Sequence, residues 1–472
     1  MSIQNQKLHW SAWLLLIAAG LVAFGPSVSF DFVNWDDPAY IAHNSLIKSW
    51  SPANLRGIAT QTVTRNYAPI TIFSFLIDHT IWGMNPVGYH ATNVLLHILN
   101  GLLVLVLVRQ ITGSRFVGWM AAALFLVHPV QIETVAWISS RKGILSATFM
   151  LAALIVRLKK EPDATADLWY IAFLCAALLS KALAVVLPAI VLGWDLWLRR
   201  QKFAEAVPRQ IIPGLLCLLL LLKTIASQNS VMGGVRGHME FTLWKIIGID
   251  ATILWTYIRM LLWPSDLCVL YDPPVNDIWM SVIAGSAAWI AIFAFVWRKR
   301  ESSPQLLWAG FTFFILLFPV LNFFRITTLM NDRYLYLPSI IVFAVVSAGL
   351  ENLFFATDLR KDWSFGHMAS RSRWLVAGTT VAVAAAATAA HLPVWQNPES
   401  LWTHAMKQNS QIPVVRIQMA LTKYDNGQKR EAINILEQAL DQTDPDQQDR
   451  ERIQNFLEEW TLELAGQPKQ RV

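Results

Sequence analysis

The sequence predicts an all-α, polytopic membrane protein of about eleven spans with a small helical domain at its C-terminal end. Three observations predict it. Of the 472 residues, 55% are hydrophobic and 15% charged, against about 25% charged in soluble chains. Repeated runs reach the roughly 20 apolar residues that cross about 30 Å of hydrocarbon as a helix, and backbone groups in lipid must bond within their own segment. Beyond Trp395 the composition turns polar and mildly acidic, which divides the chain into a membrane domain, 1–395, and a soluble part, 396–472.

The first run, 10–30, follows Lys7 and reads as a span rather than a cleaved signal, being long and without a clear small-x-small site. Further spans are predicted at 86–108, 116–134, 138–157, 168–180, 182–198, 210–226, 279–297, 305–322, 337–355 and 374–392. The last is rich in Ala and inserts less strongly than Leu would, with Trp374 and flanking arginines in support. Eleven spans put the N-terminus in the cytoplasm and the C-terminus outside. Arg109, Arg115, Arg157, Lys159, Lys160, Arg199, Arg200, Lys202, Arg298, Lys299, Arg300, Arg360, Lys361, Arg371 and Arg373 then all fall in cytoplasmic connections, as the positive-inside rule requires. The segment 246–263 is apolar but contains Asp250 and Arg259. Counting it as a span would put the Arg298–Arg300 cluster outside, so it is read as re-entrant or interfacial.

Three outer segments follow from this topology: 31–69, 227–277 and 325–336. After the first, Ile70, Phe73, Ile77 and Ile81 recur at helical spacing, which suits a helix lying on the outer leaflet. The soluble part reads as four short helices. Two of them flank an Asn426-Gly427 turn, and Ala420, Ala432, Leu436 and Ala439 are spaced like the packing positions of a tetratricopeptide repeat. One repeat is too few for a free-standing solenoid, so this part is expected to lean on the membrane domain or on a partner.

Several function classes are excluded. Cys175, Cys217 and Cys268 form neither a disulfide framework nor a thiolate metal site. The net charge of +6 comes without a basic-aromatic run that would suggest nucleic acid. No P-loop, dinucleotide fingerprint or His-Glu-x-x-His pattern occurs. The 22 tryptophans suit interfacial belts and sugar stacking equally.

The residues that can carry chemistry fall in a few clusters. Asp36 and Asp37 stand in Asn34-Trp35-Asp36-Asp37-Pro38-Ala39-Tyr40, just beyond a span. Adjacent carboxylates can serve as a general base or as metal ligands, or simply make a solvated turn or helix cap. His90, Asn93, His97 and Asn100 recur at steps of three, four and three, placing a polar stripe on one face of an apolar helix. Such a stripe must face protein or water, as interhelical glue or as part of a site. His128, Glu133, Arg141 and Lys142 share one outer connection, Lys181 sits in a tight one, and Asp332-Arg333-Tyr334 lies in the third outer segment. Cations there can hold an anionic lipid headgroup or merely snorkel to the interface.

The segments NWDDPAYIAHNSLI, NYAPITIFSF, NPVGYHATNVLLHILN, HPVQIETVAWISSRKG, LLSKALAVVLPAIVL, YIRMLLWPSDLCVLYDPP, NDRYLYLPS and VWQNPESLWTHA, in this order, resemble the transmembrane and tetratricopeptide repeat (TMTC-like) proteins and their bacterial relatives. That family belongs with the GT-C glycosyltransferases, which use polyprenyl- or dolichyl-phosphate sugars, and its animal members are linked to protein O-mannosylation. The resemblance implies a membrane enzyme, in a bacterium one of the inner membrane with its C-terminal domain in the periplasm. It implies an acidic pair at Asp36 and Asp37, with the base at Asp37, and it admits a divalent ion such as Mg or Mn on the two. It implies a donor phosphate held by Arg333, Lys181, Arg141, Lys142 and His128, with Glu133, His90, Asn93, His97 and Tyr67 in support. Gln131 stands where relatives commonly have His, Ser140 where they have Glu, and Gly143 where they have an acidic residue. The soluble part carries far fewer repeats than animal members.

The expected function is therefore transfer of a sugar from a polyprenyl-phosphate donor to a hydroxyl of a protein or glycan on the non-cytoplasmic face. Two other classes compete. A lipid-linked sugar transporter or flippase would use the polar stripe as a pathway. A catalytically inactive envelope scaffold would present the C-terminal helices. Removing the residues beyond Trp395 separates the last from an enzyme, which is expected to lose only acceptor choice.

Overall fold

The computed structural model describes residues 10–64, 66–159, 163–228, 241–276, 278–323, 328–358 and 363–465. Lys7, Lys160, Arg360 and Lys361, residues 229–240 of the second outer segment, and Arg325 of the third lie outside them. The described residues are helical and contain no strand. The helices are α1 (Trp10–Phe24), α2 (Pro52–Thr60), α3 (Pro69–Trp82), α4 (Pro86–Thr112), α5 (Arg115–Val127), α6 (Ile132–Ala136), α7 (Arg141–Arg157), α8 (Ala164–Ser180), α9 (Leu187–Trp197), α10 (Phe203–Ala206), α11 (Ile211–Gln228), α12 (Leu243–Leu262), α13 (Trp279–Arg298), α14 (Pro304–Leu317), α15 (Pro338–Asp358), α16 (Trp363–His391) and α17 to α20 (Pro398–Asn409, Pro413–Asp425, Lys429–Gln442, Gln447–Leu464).

All eleven apolar runs fold as helix. Six are long and apolar enough to cross a membrane: Trp10–Ser29, Pro86–Thr112, Ile138–Arg157, Phe203–Thr224, Trp279–Arg298 and Ser372–Trp395. Ala164–Ser180, Ala182–Trp197, Pro304–Val320 and Pro338–Leu353 are shorter apolar helices. The protein is thus an all-α integral membrane protein. The run 116–134 departs from expectation: it breaks after Val127 and bends by 56°, because Pro129 cannot continue the backbone hydrogen-bond ladder.

The segment 246–263, expected to be re-entrant or interfacial, falls on α12, one continuous helix of 20 residues. Its buried Asp250 is held by Asn322, whose amide nitrogen donates to it at 2.7 Å.

The core sits where α4 packs on α5, α7 and α1. Small residues permit the approach: a Cβ on Gly101 would stand 2.4 Å from the Leu126 side chain, and close backbone contact of this kind drives association in lipid. The polar stripe on α4 is wholly buried in this core. At the opposite end of α7, Arg157 donates to Asp195 at 2.8 Å and meets Asp167 at 3.2 Å, and Arg199 pairs with Asp195. Arg157 and Arg199 therefore spend their charge inside the protein rather than on the membrane surface.

The C-terminal helices are docked. Beyond Trp395, α17 and α18 pack against the loop that carries Asn34, while α18, α19 and α20 share a core of Ala420, Ala432, Leu436, Ala439 and Trp460. Gly427, at φ +80°, makes the turn between α18 and α19, a conformation that glycine adopts without steric cost.

Candidate active site

The site forms where the first loop meets the broken stretch between α5 and α7. That stretch runs from His128 through a 3-10 turn, the short α6 and a second turn at Ile138–Ser140 before α7 begins. A helix broken in this way exposes backbone groups that need partners. The α4 stripe supplies them. Asn93 Nδ2 donates to the carbonyls of Val135 and Trp137 at 3.3 Å each, Asn100 Nδ2 donates to Ile144 at 3.1 Å, and His97 contacts the Tyr336 hydroxyl at 2.9 Å. His90 lies 3.4 Å from the Asp31 carbonyl. The stripe is fastening, and its side chains meet protein.

Held this way, the stretch and the start of α7 present Ser139 and Lys142 to the acidic pair and Glu133 to Arg333. Asp37 is 1% exposed. One of its oxygens accepts from the Ser139 amide at 3.0 Å and the Ser139 hydroxyl at 2.5 Å, and the other from the Val33 amide at 3.0 Å. Burial pushes the Asp37 carboxyl up to about 6, against the pull of these three hydrogen bonds. Asp36 is the open member: its side chain is 30% exposed and faces Lys142 Nζ at 3.5 Å. Lys142 also donates to the Tyr40 hydroxyl at 3.3 Å and lies 4.7 Å from that ring's centre.

Trp137 separates the two nearest cations, with Lys142 at 5.8 Å and the Arg333 guanidinium at 5.3 Å from its ring. Arg333 is clamped by Glu133, which accepts its amide at 2.7 Å and also its guanidinium. That carboxylate holds the guanidinium above its ordinary range despite burial. Lys181 lines a narrow cleft with Arg333, Ser146, Met150, Tyr336 and Pro338. Among the described residues its ammonium makes no hydrogen bond or ion pair, and a Cβ on Gly143 would stand 3.7 Å from it. An acidic residue at 143 would meet that ammonium; with glycine there, the opposite charge acting on it is the more distant Glu133. Burial, with Lys142 and Arg333 nearby, pushes Lys181 down to about 7.

Other expected site residues are engaged elsewhere. Every guanidinium nitrogen of Arg141 has a partner: Asp78 at 2.5 Å, Asn93 at 2.8 Å and the Tyr89 carbonyl at 2.7 Å. It lies buried over the Phe75 ring, so it supports the site and offers no nitrogen to a phosphate. His128 caps the 3-10 turn by accepting from the Val130 amide at 3.2 Å and packs on Phe343. Tyr67 donates to the Ala59 carbonyl at 2.8 Å, with Lys223 over its ring.

The acidic pair does not fit a divalent cation. The Asp37 oxygens face N–H and O–H donors and Asp36 faces an ammonium, where a metal would need lone pairs. Among the described residues no three His, Cys, Asp or Glu side chains gather to hold one. Ser139, Tyr40, Trp137 and Asp78 are site residues that the sequence alone does not single out. Only Asp78, a lone carboxylate in an apolar helix, gives a signal.

No family model matches the chain. A protein O-mannosyl-transferase of Caenorhabditis elegans, F38B6.6, is 24% identical over 365 residues, 69% of this chain and 49% of that protein. Human protein O-mannosyl-transferase TMTC4 is 25% identical over 410 residues, 70% of this chain and 54% of that protein. The homologues of this chain are TMTC protein O-mannosyl-transferases. The mouse TMTC1 protein matches a shorter stretch, 31% identical over 151 residues, 30% of this chain and 16% of its own length. The chain thus spans about half the length of the relatives that match most of it. Among solved structures, ArnT from Cupriavidus metallidurans bound to undecaprenyl phosphate is 15% identical at a TM-score of 0.40, covering 91% of this chain and 80% of that one. The Archaeoglobus fulgidus oligosaccharyltransferase in its apo form is 12% identical at a TM-score of 0.45, covering 81% and 56%. Neither likeness is close enough to carry an argument.

Proposed function

We propose that the chain is a membrane glycosyltransferase that moves a sugar from a polyprenyl-phosphate donor to a hydroxyl acceptor on the non-cytoplasmic face. The observation that carries this reading is which cations have a direct carboxylate partner. Lys142, Arg333 and Arg141 are each paired with a carboxylate, Asp36, Glu133 and Asp78, while Lys181 is not. An ammonium without a direct carboxylate partner, beside the guanidinium of Arg333, suits the phosphate of a lipid-linked sugar. Apolar residues continue the cleft: Met150 on α7, with Leu183, Leu316 and Leu337, suits a hydrocarbon tail below the phosphate.

Asp36, the exposed member of the pair, takes the proton of the acceptor hydroxyl. The hydroxyl oxygen attacks the anomeric carbon, and the bond from that carbon to the phosphate oxygen breaks. Its electron pair stays on the phosphate, where Lys181 and Arg333 stabilise the added charge. Direct displacement inverts the anomeric centre. Asp37, closed off by Val33 and Ser139, holds the loop that aims Asp36. The relatives' activity makes mannose and a protein hydroxyl the first pair to assay. Basic residues in the connections opposite the site support a cytoplasmic N-terminus, and a chain from a bacterium would then sit in the inner membrane. The buried, partnered α4 stripe offers a transporter no pathway.

Purified protein in detergent is expected to consume a polyprenyl-phosphate sugar with no membrane to cross. Asp36→Asn should lower turnover by at least about 100-fold with thermal unfolding unchanged. Full turnover in that variant would remove the base, and no turnover by the wild type with any lipid-phosphate sugar would remove the enzyme.

A further inference from the structure

The C-terminal helices touch both sides of the site. On one side, Trp402 Nε1 on α17 donates to Asn34 Oδ1 at 2.6 Å, and Asn34 Nδ2 donates to Thr422 on α18 at 3.0 Å. The Trp35 and Trp402 rings meet edge to face at 5.4 Å, and the Asp31 amide donates to the Gln396 carbonyl at 2.9 Å. Asn34 and Trp35 immediately precede the acidic pair. On the other side, His404 Nε2 donates to the Leu267 carbonyl and Asn409 Nδ2 to the Leu270 carbonyl, both at 2.9 Å. These carbonyls belong to the loop whose Tyr271 donates to Asp332 at 2.5 Å, next to Arg333. Trp402 is fully buried, so these contacts are built in rather than incidental.

We infer that α17 and α18 complete the site, with Trp402 positioning the acidic loop through Asn34 while His404 and Asn409 position the cation side. Both sides are gripped by one helix, α17, so it sets the spacing between Asp36 and the cations Arg333 and Lys181. The side-chain amide of Asn34 is well matched to this bridging position. It accepts from one helix and donates to the next, and a hydrophobic residue there would break both bonds. A displacement of about 1 Å between reacting groups can cost about 100-fold in rate, so the hydrogen bond from Trp402 acts on turnover without touching the substrate. This inference rests on the proposed sugar transfer for its kinetic arm and stands alone in its structural arm.

Trp402→Phe keeps a ring and removes the donor, and Asn34→Ala removes the linking amide. With transfer assayed on the full chain, both are expected to lower kcat about tenfold while KM for the lipid donor stays within twofold. Hydrogen exchange, read in the same variants, is expected to speed up in residues 31–40 while α4 stays protected. Lys429→Ala, on the far side of the domain, should change neither. Wild-type kcat in both variants, or unchanged exchange in residues 31–40, would overturn the inference. If the wild type transfers nothing, the sugar-transfer reading fails and the exchange result alone decides this one.

Discussion

Lys181 lies in a cleft with two cations near it and no carboxylate on it, and that imbalance sets how the site responds to pH. Its amine, pushed down to about 7, is protonated below that pH and neutral above it. On the proposed reading an anionic lipid phosphate binds the protonated form, so donor affinity is full well below pH 7 and is lost as pH rises through it. KM for the donor should rise toward about tenfold per pH unit above 7, read from initial rates. Lys181→Arg should remove the rise, because guanidinium stays protonated throughout, and a flat wild-type profile would refute the assignment. At this scale the sequence is a good guide to chemistry and a poor one to geometry. Asp36, Lys142 and Arg333 stand out as motifs near the outer ends of spans. Ser139, which closes off Asp37 from 102 residues away, cannot, since a serine in WISSRKG looks like any other. The resemblance gives the base to Asp37, and which of the two neighbours is open is legible only in the fold.

Elements are legible where one face decides the outcome. The steps of three and four along α4 announce a polar stripe, and its burial follows from the cost of unsatisfied polar groups in lipid. What the pattern cannot say is what the stripe meets, and that depends on α5 breaking. A run of Ala, Leu, Phe and Val reads as one span until Pro129 bends it, and the bend is tolerated because Asn93 already waits for the freed carbonyls. Arg141 illustrates the same limit: its charge suggests a phosphate, while its partner Asp78 sits on α3, with α4, α5 and α6 between them in the chain. Breaking that buried pair leaves an uncompensated guanidinium, so Asp78→Asn should destabilise the protein by about 3 to 5 kcal/mol. Chemical unfolding in detergent would check it, and a loss below about 1 kcal/mol would mean that Arg141 is served by Asn93 and Tyr89 alone.

For the whole molecule, hydropathy locates every apolar segment because crossing a bilayer is a constraint of length and composition that each segment meets by itself. The division at Trp395 is equally visible as a change of composition. Its meaning is not, because docking depends on Asn34 finding Trp402 and Thr422, and no local pattern encodes a pairing across the length of a chain. The expected effect of removing the C-terminal part changes accordingly. A chain ending at Trp395 should lose transfer to every acceptor, and a truncated protein that keeps full turnover with a small-molecule acceptor would show the helices to be dispensable. The separation of 388 residues between Asn34 and Thr422 also has a consequence for biogenesis. A ribosome adds the acidic loop well before the helices that brace it, so on the proposed orientation the loop must wait across the bilayer until the spans between them have been inserted. Interrupted synthesis would then yield membrane-embedded fragments that carry the reactive residues but leave them idle.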